Sequence, residues 1–372
     1  MKKEKMIIKL ARKYVNWKRK SNILNDFNSF EDLVVKKALR YASSDKVKYS
    51  MSRKNIFFIM MDFVYWKTTK KRKLYNFPKA FLFVGLTEYA IEKNDLDLSH
   101  KVADSFQRFI KYDGLPSFTV DIVDQVPFGL AALNLYQLLG DEKYKKMADY
   151  FYLKIEEWKD PITEIIQYRE KSNILLNDLL GMVCPFLIKY GEIFNNKNAV
   201  ILASKQIDYY IKYGVEKDSN LPVHGIMNDT KIKVGPTNWG RGIGWYILAL
   251  SSIVNSKSSI NIGFYKQDLN KLIATLNQLK NKEGVWSQFP GSSHRFDASS
   301  TTMFMYAMNI AHSNMYNKKN IYKLIGSSIK KNGAILNSSG ETYGVNSYSD
   351  KFSESELSQG VLLMLLGTTY KK

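Results

Sequence analysis

The chain has 372 residues, 45% of them hydrophobic and 13% aromatic, which is ample for a large core. Its formal charge of +20 invites a nucleic-acid reading, but 46 lysines stand against nine arginines and are scattered, so a nucleic-acid partner is not expected. No apolar run reaches the roughly eighteen residues of a transmembrane helix, and no Pro/Gly/Ser-rich linker divides the chain.

In chain order, the first ten residues carry positive charge without a sustained apolar stretch, so no secretory leader is expected and the cytoplasm is the simplest address. One domain over 1–372 is expected, with 1–75 as a divergent N-terminal helical part. The dense basic run at 67–73 reads as solvated surface, with attraction of a polyanion as the alternative. Strongly apolar, small-residue-rich segments then begin near Lys79, Pro127, Asp178, Arg241, Ser300 and Ser355, at spacings of 48, 51, 63, 59 and 55 residues by subtraction. Such a loose period signals an array of supersecondary units. Turns such as Gly140-Asp141 and Asn195-Asn196 follow. More polar amphipathic helices come next, at 144–156, 199–213, 267–279 and 321–330. Each apolar helix with its partner is an α-hairpin, the first member buried all round and the second on one face. Six hairpins in a ring make an all-α (α/α)6 toroid, the sixth inner helix borrowing its outer partner from 31–42. An open α-solenoid is the competing architecture, and it would keep its repeat length nearly constant.

Polar residues gather where the apolar helices begin: Asp124 before the second, Asp178 at the third, Arg241 at the fourth, Asp297 before the fifth. If the inner helices run parallel, these starts converge on one mouth. Each aspartate has an alternative reading as a helix N-cap. Asp178 sits among Ile174, Leu175, Leu176, Leu179 and Leu180, surroundings that raise a carboxyl's proton affinity, and an ionised Asp124 nearby would raise it further. The two are the candidate acid/base pair. The run Trp239-Gly240-Arg241-Gly242-Ile243-Gly244-Trp245 combines a planar fork for a carboxylate with indoles suited to sugar faces. Tight helix packing would also explain it. His224 offers a donor to a ligand oxygen, and Trp286 and Gln288 add an aromatic ring and an amide, though all three residues also suit structural roles. Cys184 is the only cysteine and reads as a core residue, and no cluster has metal-ligand spacing.

At these residues the chain resembles the unsaturated glucuronyl and rhamnogalacturonyl hydrolases, glycoside hydrolase families 88 and 105, with the rhamnogalacturonyl branch the closer. Residues 239–245 are similar to W-[GA]-R-G-N-G-W, with Ile243 for Asn. Residues 178–186 resemble D-[DTS]-L-[FY]-M-x-x-P-F, with Gly181 for the aromatic. Asp124 to Gly129 is similar to D-N-I-N-P-G. Residues 284–288 resemble G-x-W-x-Q, and 297–308 resemble E-T-S-A-x-A-M-F-x-Y-A-L with Asp297 for Glu. The likeness runs from about Asn76 to the C-terminus. It implies an (α/α)6 barrel acting on a small acidic oligosaccharide that ends in a 4,5-unsaturated uronic acid. It also implies protonation at C4, water addition at C5 and ring opening, with neither metal nor organic cofactor. The resemblance assigns Asp178 as general acid and then base, Asp124 as supporting carboxylate, and His224, Arg241 and Trp245 as sugar ligands. Trp239, Trp286, Gln288 and Asp297 are further expected substrate contacts. Two alternatives stay open: an impaired saccharide-binding or polysaccharide-biosynthesis protein on the same fold, and a helical-repeat interaction protein.

Overall fold

The computed structural model describes residues 23–48, 74–169, 172–257, 261–312 and 315–370; the basic run at 67–73 lies outside them. The described residues form twelve α-helices: α1 (Phe30–Ala42), α2 (Phe77–Lys93), α3 (Leu96–Phe106), α4 (Val126–Leu139), α5 (Glu142–Glu157), α6 (Asp178–Phe194), α7 (Lys197–Gly214), α8 (Gly240–Val254), α9 (Gly263–Gln278), α10 (Ala298–Ala311), α11 (Lys318–Ile325) and α12 (Glu356–Thr368). The even-numbered helices are the apolar ones, and each packs on the next until α12 closes on α2. The ring is therefore closed, as an (α/α)6 toroid requires and a solenoid does not. The odd-numbered helices stand outside it, and α1 packs on α2 and α12 to complete the sixth hairpin.

Residue pattern explains the two layers. Every residue of α4 from Val126 to Leu135 is buried, whereas α5 buries Tyr144, Met147, Ala148, Phe151 and Ile155, one stripe of a helix. The ring closes tightly because Gly85 on α2 faces Gly360 on α12. A Cβ on Gly85 would stand 2.5 Å from the Gly360 Cα, inside the other backbone. Close by, Lys79 and Glu356, both fully buried, pair at 3.0 Å, and Lys79 Nζ also donates to the carbonyls of Tyr41 and Ser44.

The toroid's two ends differ. The first three inner helices end in a left-handed residue followed at once by a side-chain N-cap for the outer helix. Asn94 precedes Asp95, Gly140 precedes Asp141 and Asn195 precedes Asn196. The return connections, leading into the N-terminal ends of inner helices, are long: 107–125, 158–177, 215–239, 279–297 and 326–355. They carry five short strands, β1 (Ile174–Leu176), β2 (Gly225–Met227), β3 (Lys233–Val234), β4 (Ser338–Ser339) and β5 (Phe352–Ser353). The outer helix expected at 321–330 ends earlier, at Ile325, and tightens into a 3-10 turn at Gly326–Ser328.

Each return connection opens on the same tight turn. Lys111, Asp160, Glu216, Asn281 and Lys330 donate their N–H to the carbonyls of Leu115, Ile165, Leu221, Val285 and Ala334. The residue before each acceptor is left-handed: Gly114, Glu164, Asn220, Gly284 and Gly333. Two positions beyond it come Pro116, Ile166, Pro222, Trp286 and Ile335, all buried; four beyond come Phe118, Tyr168, His224, Gln288 and Asn337. The internal repeat thus extends past the hairpins into the loops.

Candidate active site

Strand register brings the first pair together. β1 and β2 are antiparallel with Leu176 opposite Gly225, so Asn177 falls opposite His224 and its N–H donates to the His224 carbonyl at 3.0 Å. Asp178, the first residue of α6, then stands beside the imidazole, with Oδ2 3.5 Å from His224 Nε2. That oxygen is buried without a hydrogen bond, in a side chain 16% exposed. His224 Nδ1 lies 2.7 Å from the Tyr348 hydroxyl. Burial, with the Asp178 charge adding to it, raises the pKa of Tyr348 above that of an ordinary phenol, so its proton is available to Nδ1. A hydroxyl donated to Nδ1 would leave the imidazole proton on Nε2, the nitrogen that faces Asp178. Tyr348→Phe is expected to lower kcat roughly tenfold, the loss of one hydrogen bond, and to change the pH profile while leaving KM nearly unchanged. A variant with wild-type kcat and pH profile would show that Tyr348 does not orient the ring.

Asp124 is not a cap. It lies in the 3-10 turn Val123–Gln125 and is 2% exposed. Its Oδ1 accepts from the Tyr168 hydroxyl at 2.7 Å and its Oδ2 pairs with Arg169. Burial first, then the charges of Asp124 and Asp178, push the Tyr168 hydroxyl well above its ordinary pKa, so one phenol feels both carboxylates. Both oxygens of Asp124 are engaged, which suits a fixed charge, whereas Asp178 keeps a buried oxygen uncommitted.

The tryptophan and arginine run divides its labour. Trp239 packs its indole on His224 (centroids 4.3 Å) and Tyr348 (5.2 Å), and Arg241 lies 5.4 Å over its ring. Trp245 is wholly buried against Phe77 and Phe81. The indole N–H groups of Trp239 and Trp245, like Asn177 Oδ1, are buried without hydrogen-bond partners. Arg241 requires a correction as a free carboxylate fork. Its terminal nitrogens donate to the Ser339 carbonyl and hydroxyl, the Gly340 carbonyl and the Thr342 hydroxyl. Those four bonds use all its terminal N–H groups on residues 339–342, from the last residue of β4 onward.

Three other expected contacts are engaged within the protein. Asp297 is fully buried and caps α10 through the Ser299 N–H at 3.0 Å, and it binds the Ser339 N–H and hydroxyl. It therefore steadies the segment that Arg241 grips. Trp286 occupies the core position of the repeated turn and donates its indole N–H to the Leu276 carbonyl at 2.7 Å. Gln288 is 5% exposed and spends its amide on the Ser349 carbonyl. Two of the departures from the family pattern, Gly181 and Ile243, are packing features. A Cβ on Gly181 would stand 2.7 Å from the Trp245 ring, so Trp245 fills that space, and Ile243 is entirely in the core.

Tyr168, Arg169 and Tyr348 are site residues that sequence reasoning did not single out. Tyr168 was detectable in principle, because it holds the same place in the second turn that His224 holds in the third. Tyr348 had no such signal. Among the described residues, no three His, Cys, Asp or Glu side chains are grouped to hold a metal ion, and no helix is long and apolar enough to cross a membrane.

A closed ring of six helical hairpins with long loops at one end is the six-hairpin toroid fold. The chain belongs to glycosyl hydrolase family 88, whose model matches residues 52–366. The match starts well before Asn76, so the family likeness extends further toward the N-terminus than the motifs alone indicate. In fold the chain is similar to a possible member of the GH105 family from Salmonella enterica serovar Paratyphi A (TM-score 0.75, 16% identity, covering 93% of this chain and 94% of that one). Another possible GH105 member, from Klebsiella pneumoniae, gives 0.70 at 18% identity over 80% and 82%. An unsaturated glucuronyl hydrolase specific for heparin gives 0.65 at 13% over 92% and 96%. No curated protein matches the chain.

Proposed function

We propose that this protein removes a 4,5-unsaturated uronic acid from the non-reducing end of lyase-generated oligosaccharides by hydrating the vinyl ether. The observation that carries this reading is the partly exposed Asp178 carboxyl, one oxygen of which is buried and unbonded with the His224 imidazole beside it. Family 88 membership and the likeness to an unsaturated glucuronyl hydrolase support the choice of substrate. Asp178 gives its proton to C4. It then takes a proton from the water that adds at C5, so it ends the cycle protonated. The resulting C5 hemiketal opens to a ketone, and the hemiacetal left at C1 expels the remaining saccharide. Asp124, held by Tyr168 and Arg169, supports the positive charge that develops at C5 and the ring oxygen. His224, beside Asp178, and Trp239, stacked on it with its indole N–H unpartnered, are the proposed contacts for the uronate.

The test is the loss of the vinyl ether's ultraviolet absorbance when lyase-generated disaccharides are supplied. Decay with at least one class of disaccharide supports the reading, and none across a broad panel removes it. The engagement of the Arg241 fork with its own loop favours one second reading, saccharide binding without turnover. That alternative predicts calorimetric binding of the same sugars with constant absorbance.

A further inference from the structure

The last return connection folds into a hairpin that reaches His224. β4 and β5 pair Ser338 with Ser353 and Ser339 with Phe352, and the Gly340 N–H donates to the Lys351 carbonyl at 2.9 Å. The same register holds at the far end, where Gly344 pairs with Ser347 and the Tyr343 N–H donates to the Ser347 carbonyl. Residues 338–353 are therefore two antiparallel arms with a tip at 344–347, and Tyr348 stands on the returning arm just past the tip. The tip lies against the connection that carries His224. Tyr348 packs on Trp239 and Phe289, each with centroids 5.2 Å apart, and its hydroxyl is 2.7 Å from His224 Nδ1. A Cβ on Gly235 would stand 2.9 Å from the Val345 side chain and 3.6 Å from the Tyr348 hydroxyl.

Two inner helices hold the outgoing arm. Arg241, in the first turn of α8, is 2% exposed and donates to Ser339, Gly340 and Thr342. Asp297, the N-cap of α10, accepts from the Ser339 N–H at 3.0 Å and from its hydroxyl at 2.9 Å. That hydroxyl also accepts from Arg241, so Ser339 bridges the guanidinium and the carboxylate. Gln288 fixes the returning arm at the Ser349 carbonyl, next to Tyr348. A buried guanidinium is costly unless its N–H groups are engaged. To reach a ligand carboxylate, Arg241 would have to release the arm that supports Tyr348.

We propose that Arg241 is a positioning residue that holds this hairpin so that Tyr348 meets His224, and that it does not bind the uronate. The inference rests on the proposed function for its kinetic consequences. It moves Arg241 from the substrate to the support of the imidazole beside Asp178.

The experiment measures kcat and KM on an unsaturated disaccharide for Arg241→Lys, Tyr348→Phe, the double variant of the two, and Thr342→Val. Arg241→Lys should lower kcat roughly tenfold, as Tyr348→Phe does, with KM within about twofold of wild type. Both changes act on one ring, so the double variant should stay within about threefold of either single one, where independent effects would multiply to roughly a hundredfold. Thr342→Val leaves Arg241 whole and removes one acceptor from a partly exposed arm. It should fold and lower kcat roughly threefold at unchanged KM. A readout independent of turnover is nitrogen-15 NMR of the His224 ring, identified among the chain's four histidines by its loss in His224→Gln. Tyr348→Phe and Thr342→Val should move its ring-nitrogen shifts in the same direction. A KM raised about tenfold at constant kcat in Arg241→Lys, multiplicative losses in the double variant, or His224 shifts unmoved by Thr342→Val would each overturn the inference and leave the hydrolase reading intact. If no unsaturated substrate is turned over, the hydrolase reading falls and the His224 shifts alone decide the role of Arg241.

Discussion

An Asp178→Asn variant is expected to lose turnover of unsaturated disaccharides by roughly 10^2- to 10^4-fold, the range a positioned general acid supplies. Asparagine preserves shape but has no acidic proton to give C4 and no basic oxygen to receive one from water. Little stability should be lost. The buried Oδ2 makes no hydrogen bond, and Asp178 caps nothing, since the α6 N-cap position is Asn177. The signature is therefore a silent assay on a protein that melts within a few degrees of wild type and still binds the sugar. If the variant turned over at near wild-type rate, Asp178 would not be the acid. Attention would then pass to His224, the other titratable group whose ring faces this point.

The second large effect concerns the ring itself. Gly360→Ala should destabilise the protein by about 3 kcal/mol, at the upper end for overpacking. The added methyl would press on the α2 backbone, 2.8 Å from the Leu82 Cα and nearer still to the Phe81 carbonyl. No side-chain rotation relieves a clash with main chain, so α2 and α12 must separate. That movement would also strain the buried Lys79–Glu356 pair, whose partners tolerate isolation poorly. Thermal melting reads the effect as a drop of several degrees, against Leu153→Ala on the exposed face of α5 as a neutral control. If Gly360→Ala melted like the control, the α2–α12 contact would not be the tight closure described.

The inner helices were legible because burial on every side writes itself as unbroken apolar sequence. Pro127, Asp178, Arg241 and Ser300 lie within a turn of observed inner-helix starts. The site was legible in part. Asp178 and His224 meet through a two-strand register that short apolar runs such as Ile174–Leu176 do not announce. Trp286 and Asp297 carry the residue types of a sugar site but serve a turn core and a helix cap, functions that use the same chemistry. Arg241 was recognisable as a carboxylate fork, yet its acceptors arrive from nearly a hundred residues away, which local pattern cannot show. Arg169 and Tyr348 lie in long connections, where helical periodicity carries no information. The five equivalent turns are a signal that comparison of the loops with one another would expose.

The most direct measurement is a crystal structure of the Asp178→Asn variant soaked with an unsaturated disaccharide. The account predicts the uronate at the mouth formed by the N-terminal ends of the inner helices, with C4 within about 3.5 Å of the side chain at position 178. A sugar seated instead in the cavity of about 140 Å3 lined by Glu88, Glu192 and Tyr306 would contradict it. So would a uronate whose C4 faces away from α6.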